Sequence, residues 1–342
     1  SGQPKGVMLT HGNFESDVRG AKIHAELTQA DTFFGVIPQF HSFGLTALTL
    51  LPLSIGSRIV YTARFVPRKF VDLIRKHRPE ILMGVPSLYG ALLTVKESSA
   101  DDFKSIRYAI SGGEALSDAV FEQFQARFNV KLLEGYGLTE TTPIIYWSTT
   151  KKWKHHAVGT PLPGCVPLLL DDEEQPVPIG SGREGEILVA GPMIMKGYYK
   201  QPEATSAVII EREGYDGKVH RFFRTGDVGK IDSENFLFIT GCKKELFKVA
   251  GEMVSPREIE EILTQHPTVR AAAIVPKADG VRGLIPVAFI EPHDGATIDE
   301  NDLRTWCRDR LAGYKVPREI RVMQTLPRNP TGKILRRELK VD

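Results

Sequence analysis

The first 150 residues alternate short apolar runs with segments of helical periodicity, and this alternation constrains the fold more than any other feature of the chain. Residues 80–85 read as a buried strand, whereas Phe70, Val71 and Ile74 lie at the spacing of one helix face. Strands that alternate with helices predict a mostly parallel sheet covered by helices. We therefore expect an α/β fold in which ligands bind beyond the carboxyl ends of the strands.

The character of the sequence changes near residue 151, where proline and glycine become frequent and apolar residues form short alternating runs. This pattern predicts a β-rich subdomain over residues 151–240. Residues 241–342 mix helical and strand-like segments, and we expect a small α+β domain there. The predicted organisation is an α/β part (1–150) and a β-rich part (151–240) of one large domain, followed by the small domain.

Composition excludes several classes of protein. The chain has 44 basic and 42 acidic residues, and this balance argues against a dedicated nucleic-acid binder. The cysteines Cys165, Cys242 and Cys307 are too far apart for a disulfide framework and indicate a reducing compartment such as the cytoplasm. No apolar run is long enough to span a bilayer, although peripheral membrane contact stays open. The first residues read as the middle of a longer protein, so we expect further sequence upstream.

The run EGYGLTET, which begins at Glu134, has the composition of a nucleotide site. Its glycines let the backbone approach a flat ligand, and its tyrosine can stack on a base. The threonine offers a hydroxyl to a phosphate, and the second glutamate offers an oxygen ligand to Mg²⁺. The residues concerned are Gly135, Tyr136, Gly137, Thr139 and Glu140. Read alone, the same run also fits a glycine-rich turn after a buried strand.

Four other polar clusters lie at predicted loops, and each has two interpretations. Lys5-Gly6 is either a phosphate-binding loop or a basic surface turn, and His41 is either a pocket residue or a packed core histidine. Asp227 follows a glycine turn, where a carboxylate binds ribose hydroxyls or closes an Asx turn. Lys333 either reaches a phosphate or belongs to a solvated basic tail.

Taken together, the clusters resemble the acyl-adenylate-forming superfamily of acyl-CoA synthetases, luciferases and nonribosomal adenylation domains. The resemblance covers nearly the whole chain, and the motifs occur in the order of the family. They are residues 4–6, His41, residues 111–114, 136–140, 185–199, 224–227, 243–251 and 330–333. The resemblance implies a large adenylation domain that lacks its N-terminal subdomain, followed by a small mobile domain with a hinge near Lys244.

The resemblance also implies the reaction and its cofactors. Such enzymes join a carboxylic acid to ATP with Mg²⁺, release pyrophosphate and then transfer the acyl group to the thiol of coenzyme A. Lys333 would bridge the carboxylate and the α-phosphate, Thr139 would contact that phosphate, and Glu140 would hold Mg²⁺. The remaining implied roles are ribose binding by Asp227; adenine and nucleotide binding by Gly112, Gly113, Glu114, Gly135, Tyr136 and Gly137; the phosphate loop at Lys5 and Gly6; the acyl site at His41; and thioester formation at Lys248 and Gly251.

Two departures from the family pattern and several alternatives remain. Cys242 stands where the family usually has an arginine that contacts the nucleotide, and only two residues precede Gln3 in the phosphate loop. The sequence is similar to the fatty-acid branch, so a fatty acid–CoA ligase is the leading hypothesis. Acyl carrier protein is the alternative acceptor, and its docking surface would be a basic patch at Arg308, Arg310 and Lys315, which is equally a solvated helix face. A third possibility is an inactive nucleotide-binding or partner-binding module.

Overall fold

The computed structural model describes residues 5–62, 64–280, 283–329 and 332–341. The motif residues Pro4, Pro330 and Thr331 lie outside these ranges. Contacts divide the chain into two compact units: apart from residues 117–119, which group with the second, the large unit comprises residues 1–239 and the small unit residues 240–342. No helix among the described residues is both long enough and apolar enough to cross a membrane.

In the part of the large unit that the structure describes, fourteen strands form three sheets. They are β1 (Val7–Met8), β2 (Thr32–Gly35), β3 (Arg58–Tyr61), β4 (Ile81–Gly84), β5 (Tyr108–Ser111), β6 (Leu132–Tyr136), β7 (Tyr146–Trp147), β8 (Thr160–Pro161), β9 (Val166–Leu170), β10 (Gly185–Ala190), β11 (Gly197–Tyr198), β12 (Ile209–Glu213), β13 (Val219–Ile231) and β14 (Leu237–Cys242), the last of which extends into the small unit.

Eight α-helices accompany these strands within the described residues. They are α1 (His11–His24), α2 (Ser42–Leu45), α3 (Leu51–Ile55), α4 (Pro67–His77), α5 (Pro86–Leu92), α6 (Ala100–Phe103), α7 (Asp118–Phe128) and α8 (Pro202–Ser206). A π-helical turn over Thr46–Leu50 joins α2 to α3. Helix α4 begins at a proline, whose fixed φ suits the first turn, and it buries Phe70, Val71 and Ile74 as the sequence predicts.

The main sheet has seven strands in the order β3-β2-β4-β5-β6-β7-β8. Strands β2 to β6 pair in parallel, and β7 and β8 extend the sheet in antiparallel fashion. Both faces are covered, because Phe33 and Met83 belong to one apolar core while Phe34 and Leu82 belong to another. Burial on both sides explains the continuous apolar runs in the sequence and confirms the predicted parallel-rich sheet.

A second sheet, of strands β9, β10, β12, β13 and β14, forms the β-rich part of the large unit. A third and smaller pairing joins β1 to β11, with Val7 opposite Tyr198 and Met8 opposite Gly197. Through this pairing, the beginning of the chain is hydrogen-bonded to a segment that directly follows the second sheet's strand β10. The apolar core of this region includes Ile187 and Tyr198.

The small unit is an α+β structure. Its elements are β15 (Phe247–Val249), β16 (Glu252–Val254), α9 (Pro256–Thr264), β17 (Val269–Asp279), β18 (Gly283–Pro292), α10 (Glu300–Arg308) and β19 (Glu319–Val322), followed by a 3₁₀ turn at Arg336–Glu338. The strands pair in the order β16-β15-β18-β17, and β19 pairs in parallel with β18. Ile259 and Leu303 of the two helices belong to one core with Ile274 and Ile290 of the sheet.

An ion pair with a buried carboxylate connects β10 to β13. Arg224 of β13 donates from both Nε and Nη2 to Glu186 of β10, whose side chain is only 5% exposed, and also donates to Glu174 at 2.7 Å. These hydrogen bonds with Glu186 and Glu174 raise the pKa of Arg224. The first residue of the RTGD motif therefore has a structural role within the β-rich part.

We expect Arg224→Met to destabilise the protein by about 3 kcal/mol, because it removes the guanidinium that pairs with the buried Glu186 carboxylate. Arg183→Met is the matched control; Arg183 is 60% exposed and pairs with Asp171 at 3.0 Å, so its loss should cost less than about 1 kcal/mol. The measurement is urea-induced unfolding of both variants. Equal destabilisation by the two substitutions would contradict a structural role for the Arg224–Glu186 pair.

Candidate functional site

The structure brings together two predicted nucleotide-binding residues that are 91 positions apart in the sequence. The hydroxyl of Tyr136, at the end of β6, donates a hydrogen bond of 2.6 Å to Oδ2 of Asp227. The backbone N–H of Asp227 donates to Oγ1 of Thr225, which in turn donates to the carbonyl of Ile187. The Asp227 carboxylate thus accepts a hydrogen bond from Tyr136 of the main sheet, and the Asp227 backbone is bound through Thr225 to Ile187 of the second sheet.

The run EGYGLTET does not begin as a turn, contrary to one of its two predicted interpretations. Gly135 and Tyr136 belong to β6, where they pair with Trp147 and Tyr146 of the antiparallel strand β7. The strand continues because β7 supplies hydrogen-bond partners, which a local reading of the sequence does not show. Gly137 then marks a close approach: a Cβ added there would lie 1.5 Å from the carbonyl oxygen of Pro143, so only glycine fits.

Thr139 and Glu140 lie together on the 3₁₀ turn Thr139–Thr141 that follows β6. Thr139 is exposed, and its hydroxyl lies 3.1 Å from Oγ of Ser42 at the start of α2. Glu140 accepts a 2.8 Å hydrogen bond at Oε1 from the hydroxyl of Tyr198. Burial, and then the bond to Glu140, raise the pKa of Tyr198, so this hydroxyl stays protonated and donates at neutral pH.

The donor set around Glu140 suits a hard cation. A carboxylate and the neighbouring Thr139 hydroxyl are oxygen ligands, and Mg²⁺ in nucleotide sites is typically held by one or two carboxylates together with phosphate oxygens. Among the residues that the structure describes, Glu140 has no ion-pair partner of its own. The residues present therefore fit a magnesium–nucleotide complex.

The glycine-rich turn after β5 lies beside β6. The N–H of Gly112 donates to the carbonyl of Gly84 at 3.1 Å. A Cβ on Gly112 would lie 3.4 Å from the carbonyl oxygen of Gly135 and 3.5 Å from the ring of Phe43. Gly113 is exposed, with a φ of +85°, and Glu114 is half-buried. The structure thus brings the predicted adenine segment, residues 112–114, next to the strand that ends in Tyr136.

His41 lies at the start of α2 as a helix cap. Its Nδ1 accepts a hydrogen bond of 3.2 Å from the N–H of Phe43, so the ring is neutral at that nitrogen. Burial lowers the pKa of His41, which also favours the neutral ring. The side chain is half-buried rather than enclosed in a core. His41 therefore combines a capping function with an accessible position beside Ser42.

Lys5 and Gly6 precede β1, on the side of Tyr198. The ammonium of Lys5 lies 4.5 Å from the centre of the Tyr198 ring, a cation–π contact. The carbonyl of Gly6 accepts a 2.7 Å hydrogen bond from the N–H of Tyr199. The predicted phosphate loop and the predicted magnesium ligand consequently contact the same tyrosine.

The small unit holds the other predicted residues. Lys248 is exposed on β15 between the buried residues Phe247 and Val249, and Gly251 has a φ of +93°, which favours glycine, in the turn that leads to β16. Lys244 is exposed in the turn after Cys242. Within this unit, the two predicted catalytic lysines and the predicted hinge residue are all solvent-accessible.

Lys333 is exposed in a short loop, where its N–H donates to Oδ1 of Asn329 and its carbonyl accepts from the Asn329 N–H, both at 2.9 Å. Three residues later, Arg336 forms ion pairs with Glu260 of α9 at 2.8 Å and with Glu245 at 3.0 Å. Burial raises the pKa of Glu260, and the Arg336 guanidinium opposes that effect. These ion pairs fix the segment after Lys333 to α9.

The predicted basic docking patch is weaker than the sequence indicates. Lys315 is not available as a free cation, because its ammonium pairs with Glu258 of α9 at 2.7 Å. Arg310 stacks its guanidinium 3.5 Å from the ring of Trp306. Of the three residues predicted for the docking patch, Arg308, Arg310 and Lys315, the last therefore has its charge offset by Glu258.

Sequence reasoning assigned no role to Ser42 or Tyr198. Ser42 follows His41 directly, and Tyr198 is the first residue of a tyrosine pair after Gly197. The aromatic pair beside a glycine was the available signal for Tyr198. Its partner Glu140, however, is 58 positions away, and no local pattern predicts that contact.

An α/β unit with a glycine-rich turn, a carboxylate predicted to bind ribose and a lysine loop predicted to bind phosphate is typical of nucleotide-binding enzymes. The chain belongs to the AMP-binding enzyme family: the family model matches residues 1–199, and the model of the AMP-binding enzyme C-terminal domain matches residues 258–333. This membership confirms the resemblance inferred from the motifs.

The similar proteins include ligases named for an aliphatic acid and ligases named for an aromatic acid. The chain is 35% identical over 347 residues to a long-chain-fatty-acid–CoA ligase of Bacillus subtilis (99% of this chain, 59% of the relative). It is 33% identical over 350 residues to 4-coumarate–CoA ligase 3 of Oryza sativa (99% and 62%). The solved structure of ATP-bound MatB from Rhodopseudomonas palustris matches with a TM-score of 0.91 at 30% identity (99% and 65%). The chain thus spans about three fifths of the length of these curated relatives.

We expect Tyr136→Phe to weaken AMP binding about tenfold, because Asp227 loses the hydrogen bond that orients it toward the ribose. A hydrogen bond to a charged group contributes more than a bond between neutral groups. The variant removes the donor that orients Asp227 and keeps the ring. Tyr314→Phe, which removes a hydroxyl from the small unit, is the matched control. Calorimetric titration with AMP measures both variants, and an affinity for AMP that is equal in Tyr136→Phe and the unaltered protein would exclude this role.

Proposed function

We propose that this chain carries the adenylation machinery of an AMP-forming acid–CoA ligase. The acid carboxylate attacks the α-phosphate of ATP, pyrophosphate leaves, and the thiol of coenzyme A then displaces AMP from the acyl-adenylate. The observation that carries the proposal is the convergence, in one unit, of the Tyr136–Asp227 pair, the Thr139–Glu140 turn and Lys5. The named CoA ligases among the relatives support the same reaction class.

The chemistry explains why such residues are needed. A thiol cannot displace oxide from a carboxylate, so the oxygen must first become part of a good leaving group, which AMP is. The first step brings an anionic carboxylate to an anionic phosphate, and positive groups aimed at the developing charge lower its barrier. Bound Mg²⁺ supplies part of this charge stabilisation at the phosphate oxygens.

We assign the residues of the large unit as follows. Asp227 accepts hydrogen bonds from the ribose hydroxyls, with Tyr136 fixing its direction. Gly112 and Gly113 allow the adenine to lie against the backbone beside Tyr136. Thr139 donates its exposed hydroxyl to the α-phosphate. Hydrogen bonds already orient Asp227, through Tyr136 and its own turn, and Gly112, through the carbonyl of Gly84.

The small unit supplies the charges that alternate between half-reactions. We propose that Lys333 bridges the carboxylate and the α-phosphate during adenylation, as a point charge on a flexible stem. Lys248 and Gly251 take part when the thioester forms, and Lys244 is the hinge of the rearrangement between the two steps. The exposure of all three lysines is consistent with groups that act on a bound substrate.

The acid that we propose is apolar, with a fatty acid as the leading candidate. The side chains beside the Gly112 turn include Phe43 and Val85, and the nearby His41 is neutral because burial lowers its pKa. These neutral side chains favour an uncharged acyl group. A hydroxycinnamic acid satisfies the same condition, so 4-coumarate is the competing substrate.

The proposed reaction predicts pyrophosphate exchange into ATP that depends on an added carboxylic acid. The protein that carries this chain at its natural length is assayed with fatty acids of increasing length and with 4-coumarate. We expect a higher kcat/KM with a fatty acid, and formation of acyl-CoA when coenzyme A is added. ATP binding without exchange for any acid would instead indicate an inactive nucleotide-binding module. Faster transfer to holo acyl carrier protein than to coenzyme A would identify the carrier protein as the acceptor.

The proposed alternation predicts that two lysines separate the half-reactions. Lys333→Ala should slow adenylation at least about a hundredfold, because it removes a charge aimed at the transition state, and should spare thioester formation from supplied acyl-adenylate. Lys248→Ala should have the opposite pattern, which makes the pair mutual controls. Single-turnover assays of each half-reaction provide the measurement, and equal loss of both steps in Lys333→Ala would refute the alternation.

A further inference from the structure

Tyr198 contacts the proposed magnesium ligand and the proposed phosphate loop at the same time. Its side chain is buried, with 6% exposure, and its hydroxyl donates to Oε1 of Glu140 at 2.8 Å. Its ring lies 4.5 Å from the ammonium of Lys5. Tyr198 therefore connects Glu140, which would face the metal, with Lys5, which would face the nucleotide's phosphates.

The segment that carries Tyr198 also fixes the backbone around Glu140. The N–H of Met195 donates to the carbonyl of Glu140 at 2.8 Å, and the hydroxyl of Thr142 donates to the carbonyl of Met193 at 2.6 Å. Glu140 is consequently held at its main chain and at one carboxylate oxygen by the same stretch of chain. The Tyr198 bond to Oε1 therefore also fixes the direction of the other carboxylate oxygen, Oε2.

On its other side, the segment is paired with the strand that follows the phosphate loop. Val7 lies opposite Tyr198 in the antiparallel register of β1 and β11, and the N–H of Tyr199 donates to the carbonyl of Gly6 at 2.7 Å. Any displacement of Lys5 and Gly6 along this ladder therefore acts on the residue that orients Glu140.

We propose that Tyr198 is a positioning residue that holds Glu140 in the orientation needed for the magnesium–ATP complex and couples it to the Lys5–Gly6 loop. A metal-binding carboxylate with one oxygen hydrogen-bonded presents the other in a fixed direction, and loss of such an outer partner typically lowers metal affinity or activity 10- to 100-fold. The inference rests on the proposed function for the identity of the ligand, whereas its test measures binding and requires no turnover.

The test compares ATP affinity in excess Mg²⁺ with ATP affinity in a chelator, by calorimetric titration of the full-length protein. Tyr198→Phe keeps the ring and its contact with Lys5 but removes the hydroxyl. We expect about tenfold weaker binding of magnesium–ATP with less than a twofold change for metal-free ATP. Tyr199→Phe is the matched control, because it removes a hydroxyl from the next residue, which is 59% exposed, and should change neither affinity.

A double-variant cycle with Glu140→Gln separates positioning from general loss of structure. If Tyr198 acts through Glu140, Tyr198→Phe should have no further effect on magnesium–ATP binding in the Glu140→Gln background. Equal weakening of ATP binding with and without Mg²⁺, or an undiminished effect in that background, would overturn the inference. Failure of the carboxylate-dependent exchange would reject the proposed reaction only. The role of Tyr198 would still be decided by whether Tyr198→Phe weakens ATP binding more with Mg²⁺ than without it.

Discussion

The backbone hydrogen bonds between the parallel strands β4, β5 and β6 determine where the turns that carry Gly112, Thr139 and Glu140 lie. Parallel strands end at one edge of a sheet, so the turns after β5 and β6 emerge side by side. The two turns are in close contact, since a Cβ added at Gly112 would lie 3.4 Å from the carbonyl oxygen of Gly135 and 3.5 Å from the Phe43 ring. The turn predicted to bind adenine and the start of α2 meet because the strands that precede them, β5 and β2, are separated only by β4 in the sheet.

Sequence patterns predicted the parts of the fold that depend on local chemistry. Helix α4 runs from Pro67 to His77 as expected, because a proline at its first turn and three apolar residues on one face define it without reference to distant residues. The parallel-rich sheet followed from alternation, and the succession of motifs was sufficient to predict the family to which the chain belongs. Residues such as Tyr136 and Asp227 were predicted individually, from the ligand groups that their side chains offer.

Contacts between distant segments could not be predicted, since they depend on the register of very short strands. The pairing of β1 with β11 comprises two residue pairs, too few for an apolar pattern to specify, and Tyr198, which bonds to Glu140, belongs to one of them. Gly135 was open to a turn interpretation because its strand partner, Trp147, follows only after a further loop. The ion pair of Lys315 is similar, because its partner Glu258 lies 57 positions away on α9.

The close approach of Gly137 to Pro143 has a consequence for sequence divergence. A single added carbon would overlap the carbonyl oxygen of Pro143, so the position tolerates no side chain while the loop keeps its present path. Backbone contacts of this kind cannot be relieved by a rotamer change, and a substitution must be accompanied by a rebuilt loop between Thr139 and Ile145. Position 137 can therefore serve as a diagnostic when remote sequences are aligned: a larger residue there marks a chain in which this turn has been remodelled.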